Sequence, residues 1–423
     1  MSHFEIQGGS ILHGEISISG AKNAALPMMC AALLTSEKCI FHNVPDIGDI
    51  ETLLSIFEEI GVYVSRDIKK KTVTIQALSV NLKKLRECRK VCKLRASILI
   101  LGPVLSRFGE AEIVQPGGCI LGARPNFIHT DGLRTLGAEV LKEEEALSLQ
   151  FSRKKLAKNR ILLSEASVTG TENLTMFLSG KAEVSEIFFC AAEPHVQATL
   201  KMLVQMGADI EGIGTHHLKI IGTETLRGGD FVIPPDGLLV GTYAIAGLLT
   251  GGELLIHNVD HPELFSFYGT LKRIGAKFEM EENALHILPS LKLKALPKLQ
   301  TAIYPGFSTD LQSPFGVLLT QCEGESVIFE TLFENRLTYL HELEKMGARV
   351  EFINAHQAKV SGPVRLKGTE VQSWDLRAGA AMVLAGLIAQ GMTKVTNINY
   401  IDRGYEHFDE NLKKLGAKIK RVG

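Results

Sequence analysis

The sequence predicts an α/β protein of two inside-out barrels, each made of three βαβαββ-type repeats that wrap apolar helices in sheet. Three observations lead there. A motif recurs six times along the chain, each repeat carries one helix that is apolar nearly all round and one that is amphipathic, and 423 residues exceed what one hydrophobic core supports. The recurring motif is an apolar residue and a glycine before a strand-like run: Ile60-Gly61, Leu136-Gly137, Met206-Gly207, Ile274-Gly275, Met346-Gly347 and Leu415-Gly416, with successive glycines 68 to 76 residues apart.

Taken in order, strands at residues 4–6 and 15–19 precede the first repeat and are expected to pair with the last one, returning the chain to its own end. That makes one domain split, 1–21 plus 235–423, around an inserted domain of 22–234. The fourth repeat shows the grammar best. A small-residue apolar helix over 243–249 leads through Gly251-Gly252 to a strand at 253–258, then to an amphipathic helix over 262–273. Gly275 ends that helix in the left-handed conformation, which glycine adopts at little cost, and strands at 277–279 and 284–288 close the unit. The all-apolar helix over 378–389 of the sixth repeat should be buried.

Composition narrows the function. With 46 basic and 47 acidic residues the net charge is −1, so no global field draws nucleic acid or an anionic membrane, and an anion site must be built locally. The N-terminus lacks a basic-then-apolar leader and the longest apolar runs are too short or glycine-broken to span a bilayer, so a cytoplasmic protein is expected. Seven scattered cysteines suit reduced thiols, and Cys88 and Cys92 have no second ligand pair for zinc.

The polar residues that interrupt the apolar pattern carry the chemistry. Gln115-Pro116-Gly117-Gly118-Cys119-Ile120-Leu121-Gly122-Ala123-Arg124-Pro125 sets a cysteine among glycine and proline kinks, five residues before an arginine. A guanidinium there can lower a thiol's pKa and bind carboxylate or phosphate; a Gly-rich turn holding a passive cysteine is the other reading. Lys22-Asn23 opens the first apolar helix and Arg95 the second, at helix starts that already favour anions. Asp310 opens the fifth, where N-capping is the plainer reading, and Asp375-Leu376-Arg377 the sixth. Arg336 and Arg403 follow strands and start helices, where a surface ion pair is the alternative.

Lys22-Asn23-Ala24-Ala25-Leu26-Pro27, Arg95-Ala96-Ser97, the Cys119 loop through Arg124-Pro125, Ser167-Val168-Thr169-Gly170-Thr171-Glu172-Asn173, Phe333-Glu334-Asn335-Arg336, Asp375-Leu376-Arg377-Ala378 and Asp402-Arg403-Gly404-Tyr405-Glu406 together resemble the UDP-N-acetylglucosamine 1-carboxyvinyltransferase family, end to end. The resemblance implies the enolpyruvate transferase fold of two inside-out barrels with the active site in the cleft between the domains. It implies transfer of the enolpyruvyl group of phosphoenolpyruvate to the 3′-hydroxyl of UDP-N-acetylglucosamine, with no metal and no organic cofactor. By the same resemblance Cys119 is the general acid and the target of fosfomycin, and Asp310 handles the hydroxyl proton. Lys22, Arg124 and Arg403 clamp phosphoenolpyruvate, with Arg95 and Arg377 near its charges, and Asn23 and Arg336 position the sugar nucleotide. Arg124, Pro125, Asn126, Phe127 and Ile128, the loop of Ser167, Val168 and Thr169, and Leu332 line the uridine and diphosphate. The chain departs from the family pattern at Phe127, Glu165 and Leu239. Rival readings are the enolpyruvyl transferase of shikimate 3-phosphate, which lacks the Gly-Gly-Cys loop, and a non-catalytic repeat scaffold.

Overall fold

A computed structural model describes residues 2–117, 126–152, 155–290 and 292–423. They form two compact units, one of residues 2–19 with Pro235–Gly423 and one of 20–117 with 126–234. Each unit holds three sheets.

In the unit ending at Gly423 the fourth repeat runs as expected, with bounds set by capping. Its first helix is Gly237–Thr250, longer at the start than apolarity suggested, because the Asp236 carboxylate accepts the N–H groups of Leu238 and Leu239. The expected amphipathic helix over 262–273 divides into a 3₁₀ turn, His261–Leu264, and a helix, Phe265–Ile274, with Pro262 in the first turn. The sheet order is Lys277–Glu281, Ala284–Leu288, Glu253–His257, His13–Ser17, antiparallel except for the last, parallel pair.

The fifth and sixth repeats use the same order. In the sixth, the N-terminal strand His3–Gln7 takes the second position, between Lys418–Val422 and Met392–Thr396, with His3 opposite both Thr396 and Val422. The second N-terminal strand departs from expectation. It joins the fourth repeat, through Glu253–His257, and not the last. Both halves of this N-terminal segment therefore tie the start of the chain into the 235–423 part.

Helices Gly237–Thr250, Thr309–Leu319 and Leu376–Ile388 pack on one another and against strands of the three sheets. They can do so because they present small residues. A methyl group added at Gly241 would lie 2.6 Å from Leu311 Cδ2. In the other unit the first sheet is closed by Gly229–Val232, from the end of the third repeat, running parallel to Lys38–His42. Its second sheet has three strands among the described residues.

The repeat glycines share one conformation. Gly61, Gly137, Gly207, Gly275, Gly347 and Gly416 all lie between φ +81° and +118°, each just past a helix. Another left-handed position recurs after the central strands, at Asn43, Asn258 and Asn397, with φ of 57°, 62° and 57°. Asn43 and Asn258 also donate side-chain hydrogen bonds to the Ile233 and Ile18 carbonyls. The corresponding residue of the third repeat is Phe189, at φ 61° and 42% exposed. A bulky side chain there carries strain that asparagine tolerates. Phe189→Asn is therefore expected to raise the unfolding free energy by about 1 kcal/mol, read from denaturant midpoints; an unchanged or lowered midpoint would mean that ring packing outweighs the strain.

Candidate active site

In the 20–234 unit the starts of the apolar helices carry the cations. Lys22 is the first residue of Lys22–Ala31, and its ammonium lies 2.6 Å from a carboxylate oxygen of Asp49. Asp49 is in the first turn of Gly48–Glu59 and is 3% exposed. Arg95 opens a 3₁₀ turn, Arg95–Ile100, that runs into the second apolar helix, Leu101–Phe108.

A polar network ties the second of these starts to helices Phe127–Leu136 and Val168–Ser179. Asn173 donates to the Ile98 carbonyl at 3.1 Å and accepts from the Gly102 N–H at 2.6 Å, and its amide also donates to His129 Nδ1 at 3.0 Å. With Nδ1 accepting, the His129 proton sits on Nε2, which donates to Thr169 Oγ1 at 3.2 Å. Burial, then the nearby Arg95 charge, push the His129 imidazolium down to about 3, so the ring is neutral at working pH. Ser167 caps Val168–Ser179 by accepting from the Gly170 N–H at 3.2 Å. Arg95, Ile128, Ser167, Val168 and Thr169 are thus gathered around one buried histidine.

Neighbouring residues divide by exposure. Asn126 donates to Gln115 Oε1 at 2.6 Å ahead of helix Phe127–Leu136, and Phe127 is exposed. The Ile128 side chain is buried in the core, which leaves its main chain for any ligand contact. Cys119, Arg124 and Pro125 lie outside the described residues.

In the other unit Asp310 is the centre. It sits in the first turn of Thr309–Leu319, yet Ser308 caps that helix by accepting the Asp310 N–H, so the N-capping reading of Asp310 is replaced. Its carboxylate is instead held between two buried guanidiniums. Arg336 donates to one oxygen, and Arg377 donates to the other from Nε and Nη2 at 3.2 and 3.1 Å. Burial pushes the carboxyl up, but the charges of Arg377 and Arg336 outweigh it and hold Asp310 well below the usual carboxylate range.

Each guanidinium is positioned by its own scaffold. Arg336 is 1% exposed, so it is no surface ion pair; it lies in the turn before Tyr339–Lys345 and also donates to the Thr309 carbonyl. Fully buried Glu330 shapes that turn, accepting the Leu332 and Phe333 N–H groups with one oxygen and the Thr309 hydroxyl with the other. Arg377 is fixed by Asp375, whose carboxylate accepts the Arg377 and Ala378 N–H groups, and stacks 5.3 Å over the Tyr405 ring. Arg377 Nη1 is buried with no acceptor among the described residues. Arg403 follows the short helix Asn399–Asp402, and Leu332 is partly exposed. Leu239, a departure from the family pattern, is buried in the core of Gly237–Thr250.

Sequence reasoning missed Asp49, His129 and Glu330. All three are polar residues inside apolar surroundings, but their partners are distant in sequence. Among the described residues no group of three or more His, Cys, Asp or Glu is arranged to hold a metal ion, and no helix is long and apolar enough to cross a membrane.

Known proteins resemble this chain over its whole length. The sequence profile of EPSP synthase (3-phosphoshikimate 1-carboxyvinyltransferase) matches residues 6–412. UDP-N-acetylglucosamine 1-carboxyvinyltransferase of Koribacter versatilis is 42% identical, over 100% of this chain and 97% of its own length, and that of Wolinella succinogenes is 40% identical over 100% and 99%. The enolpyruvyl transferase NikO from Streptomyces tendae superposes with a TM-score of 0.88 at 25% identity, covering 100% of this chain and 99% of that one. EPSP synthase of Acinetobacter baumannii, at 17% identity and a TM-score of 0.77, shares the fold. With apolar helices that open on cations, a carboxylate between two guanidiniums and relatives of this identity along its full length, the chain belongs to the enolpyruvyl (carboxyvinyl) transferases, in the UDP-N-acetylglucosamine 1-carboxyvinyltransferase family.

Proposed function

We infer that this enzyme transfers the enolpyruvyl group of phosphoenolpyruvate to the 3′-hydroxyl of UDP-N-acetylglucosamine and releases phosphate, the first committed step of peptidoglycan synthesis. Its substrates are cytoplasmic metabolites, and the cytoplasm is where we propose it works. The geometry that supports the reading most directly is Asp310 between Arg336 and Arg377.

The reaction needs an acid, a base and anion clamps. Cys119 protonates the methylene carbon of phosphoenolpyruvate while the sugar oxygen bonds to its C2 and Asp310 takes the hydroxyl proton. The Cys119 thiolate left by that step then takes back a methyl proton while the C2–O bond pair departs with phosphate, which regenerates the carbon–carbon double bond as an enol ether and restores the thiol. Lys22, Arg124 and Arg403 hold the phosphate and carboxylate, with Arg95 and Arg377 beside them. Asn23 and Arg336 orient the sugar, and Asn126 to Ile128, Ser167 to Thr169 and Leu332 line the nucleotide. Neutral His129 suits this lining, since its Nε2–H orients Thr169 without adding charge.

The test is phosphate release from phosphoenolpyruvate with either acceptor. Release that requires UDP-N-acetylglucosamine, falls by at least about 10²-fold in Cys119→Ser and is blocked by fosfomycin supports the assignment. Release with shikimate 3-phosphate instead would move the chain to the other transferase activity, and silence with both acceptors would favour a non-catalytic scaffold.

A further inference from the structure

The apolar helices of the 20–234 unit carry the candidate site at their starts; their other ends surround a cavity of about 480 Å³. Leu34 follows Lys22–Ala31, Arg107 lies in the last turn of Leu101–Phe108, and Lys181 follows Val168–Ser179. At 1.5 Å per residue the length of Val168–Ser179 separates this cavity from the Ser167 cap by about 18 Å. It is therefore apart from the residues assigned to catalysis.

Its walls are mixed in a way that suits a ligand. Lys181 Nζ donates to the Ser106 carbonyl at 2.8 Å and lies 5.0 and 5.2 Å from the ring centroids of Phe151 and Phe177. Arg107 donates to the carbonyls of Leu33, Thr35, Ala77 and Leu78. Both cations donate to backbone carbonyls, and the charged lining of the cavity, Arg107, Lys155 and Lys181 with Glu183 and Glu224, is one positive charge in excess. Burial lowers the pKa of both groups, Glu224 and Glu183 partly offsetting it at Lys181. Leu34, Phe151 and Leu226 supply the apolar part of a lining that is otherwise polar.

We propose that this cavity is a second, non-catalytic ligand site, taking a small organic anion whose acid head meets Lys181 and Arg107 and whose apolar body lies against Leu34, Phe151 and Leu226. An anion there offsets the cost of two half-buried charges, and its apolar part displaces water from the rings.

Pyridoxal 5′-phosphate is a suitable probe, with a phosphate head, an aromatic body and an aldehyde. The free Lys181 amine adds to the aldehyde carbon, water leaves, and borohydride delivers hydride to the resulting imine while solvent protonates the nitrogen. Full-length enzyme is treated with this pair and the labelled lysines are mapped by peptide mass spectrometry. Lys181 is expected to label about tenfold faster than exposed lysines, with protection by phenyl phosphate and not by phosphoenolpyruvate plus UDP-N-acetylglucosamine. Lys181→Gln should lose that label while keeping sugar-nucleotide-dependent phosphate release. Glu224→Gln, at an exposed position, should speed labelling about threefold by removing a competing carboxylate. Labelling of Lys181 no faster than of exposed lysines, or protection by the two substrates, would overturn the site. Protection by inorganic phosphate equal to that by phenyl phosphate would overturn the apolar part of the proposal.

Discussion

Asp310→Asn is expected to lower sugar-nucleotide-dependent phosphate release by about 10³-fold and to destabilise the fold by about 3 kcal/mol. The first effect follows from the proposed role of Asp310 as the group that takes the hydroxyl proton. The second follows from leaving Arg336 and Arg377, 1% and 2% exposed, facing a neutral amide. The pH dependence separates the two. The folded pKa of Asp310 lies below its unfolded value, so its stabilising contribution is complete above about pH 4 and is lost as pH falls toward the folded value. The stability gap between parent and Asp310→Asn should therefore narrow on acidification below about pH 4, in urea titrations at stepped pH.

A carboxylate held this low is a weak base, so the same ion pairs also bear on rate. Arg377 has a buried N–H with no acceptor among the described residues, and Arg336 donates to the Thr309 carbonyl as well as to Asp310. Substrate anions that draw on either guanidinium relieve Asp310 of part of its positive surroundings and raise its basicity. The acidic limb of kcat, which reports the bound complex, should then lie at higher pH than that of kcat/KM, which reports free enzyme. Coincident limbs, or Asp310→Asn within tenfold of the parent, would remove Asp310 from the role of base.

Much of the fold was legible because its punctuation is local. Each repeat ends its amphipathic helix on a glycine that must be left-handed, and all six are. Lysine, arginine or aspartate at the start of an otherwise apolar helix stands out for the same reason. What the sequence does not display is pairing between distant segments. Parallel pairing of His13–Ser17 with Glu253–His257 leaves no local pattern, so that strand was expected at the wrong repeat. Asp49 reads as an ordinary first-turn acid and Glu330 as the end of a strand until Lys22 and the Arg336 turn are brought to them. His129 sits on the buried face of its helix, where only its contacts with Thr169 and Asn173 separate it from core packing. Asp310 is the converse case, since its local context suggested a cap and Ser308 already fills that place.

Lys22→Met is expected to lower kcat/KM for phosphoenolpyruvate by about 10³-fold and stability by about 2–3 kcal/mol. The ammonium stands at a helix start, where it adds to the partial positive charge of the first-turn N–H groups and is aimed by Asp49 at 2.6 Å. Removing it takes away the proposed anion clamp and also deprives a carboxylate that is 3% exposed of a charge partner. Asp49 keeps further contacts, which limits the loss of stability. The double variant Lys22→Met/Asp49→Leu tells the two roles apart. With both members of the pair gone neither charge is left facing the loss of the other, so unfolding midpoints should recover part of the loss while phosphate release stays as low as in Lys22→Met. Recovery of activity together with stability would mean that Lys22 serves only to neutralise Asp49, and the phosphate clamp would have to be sought among the arginines. Low stability in the double variant would instead show that Asp49 itself organises the start of Gly48–Glu59, with Lys22 as its guest.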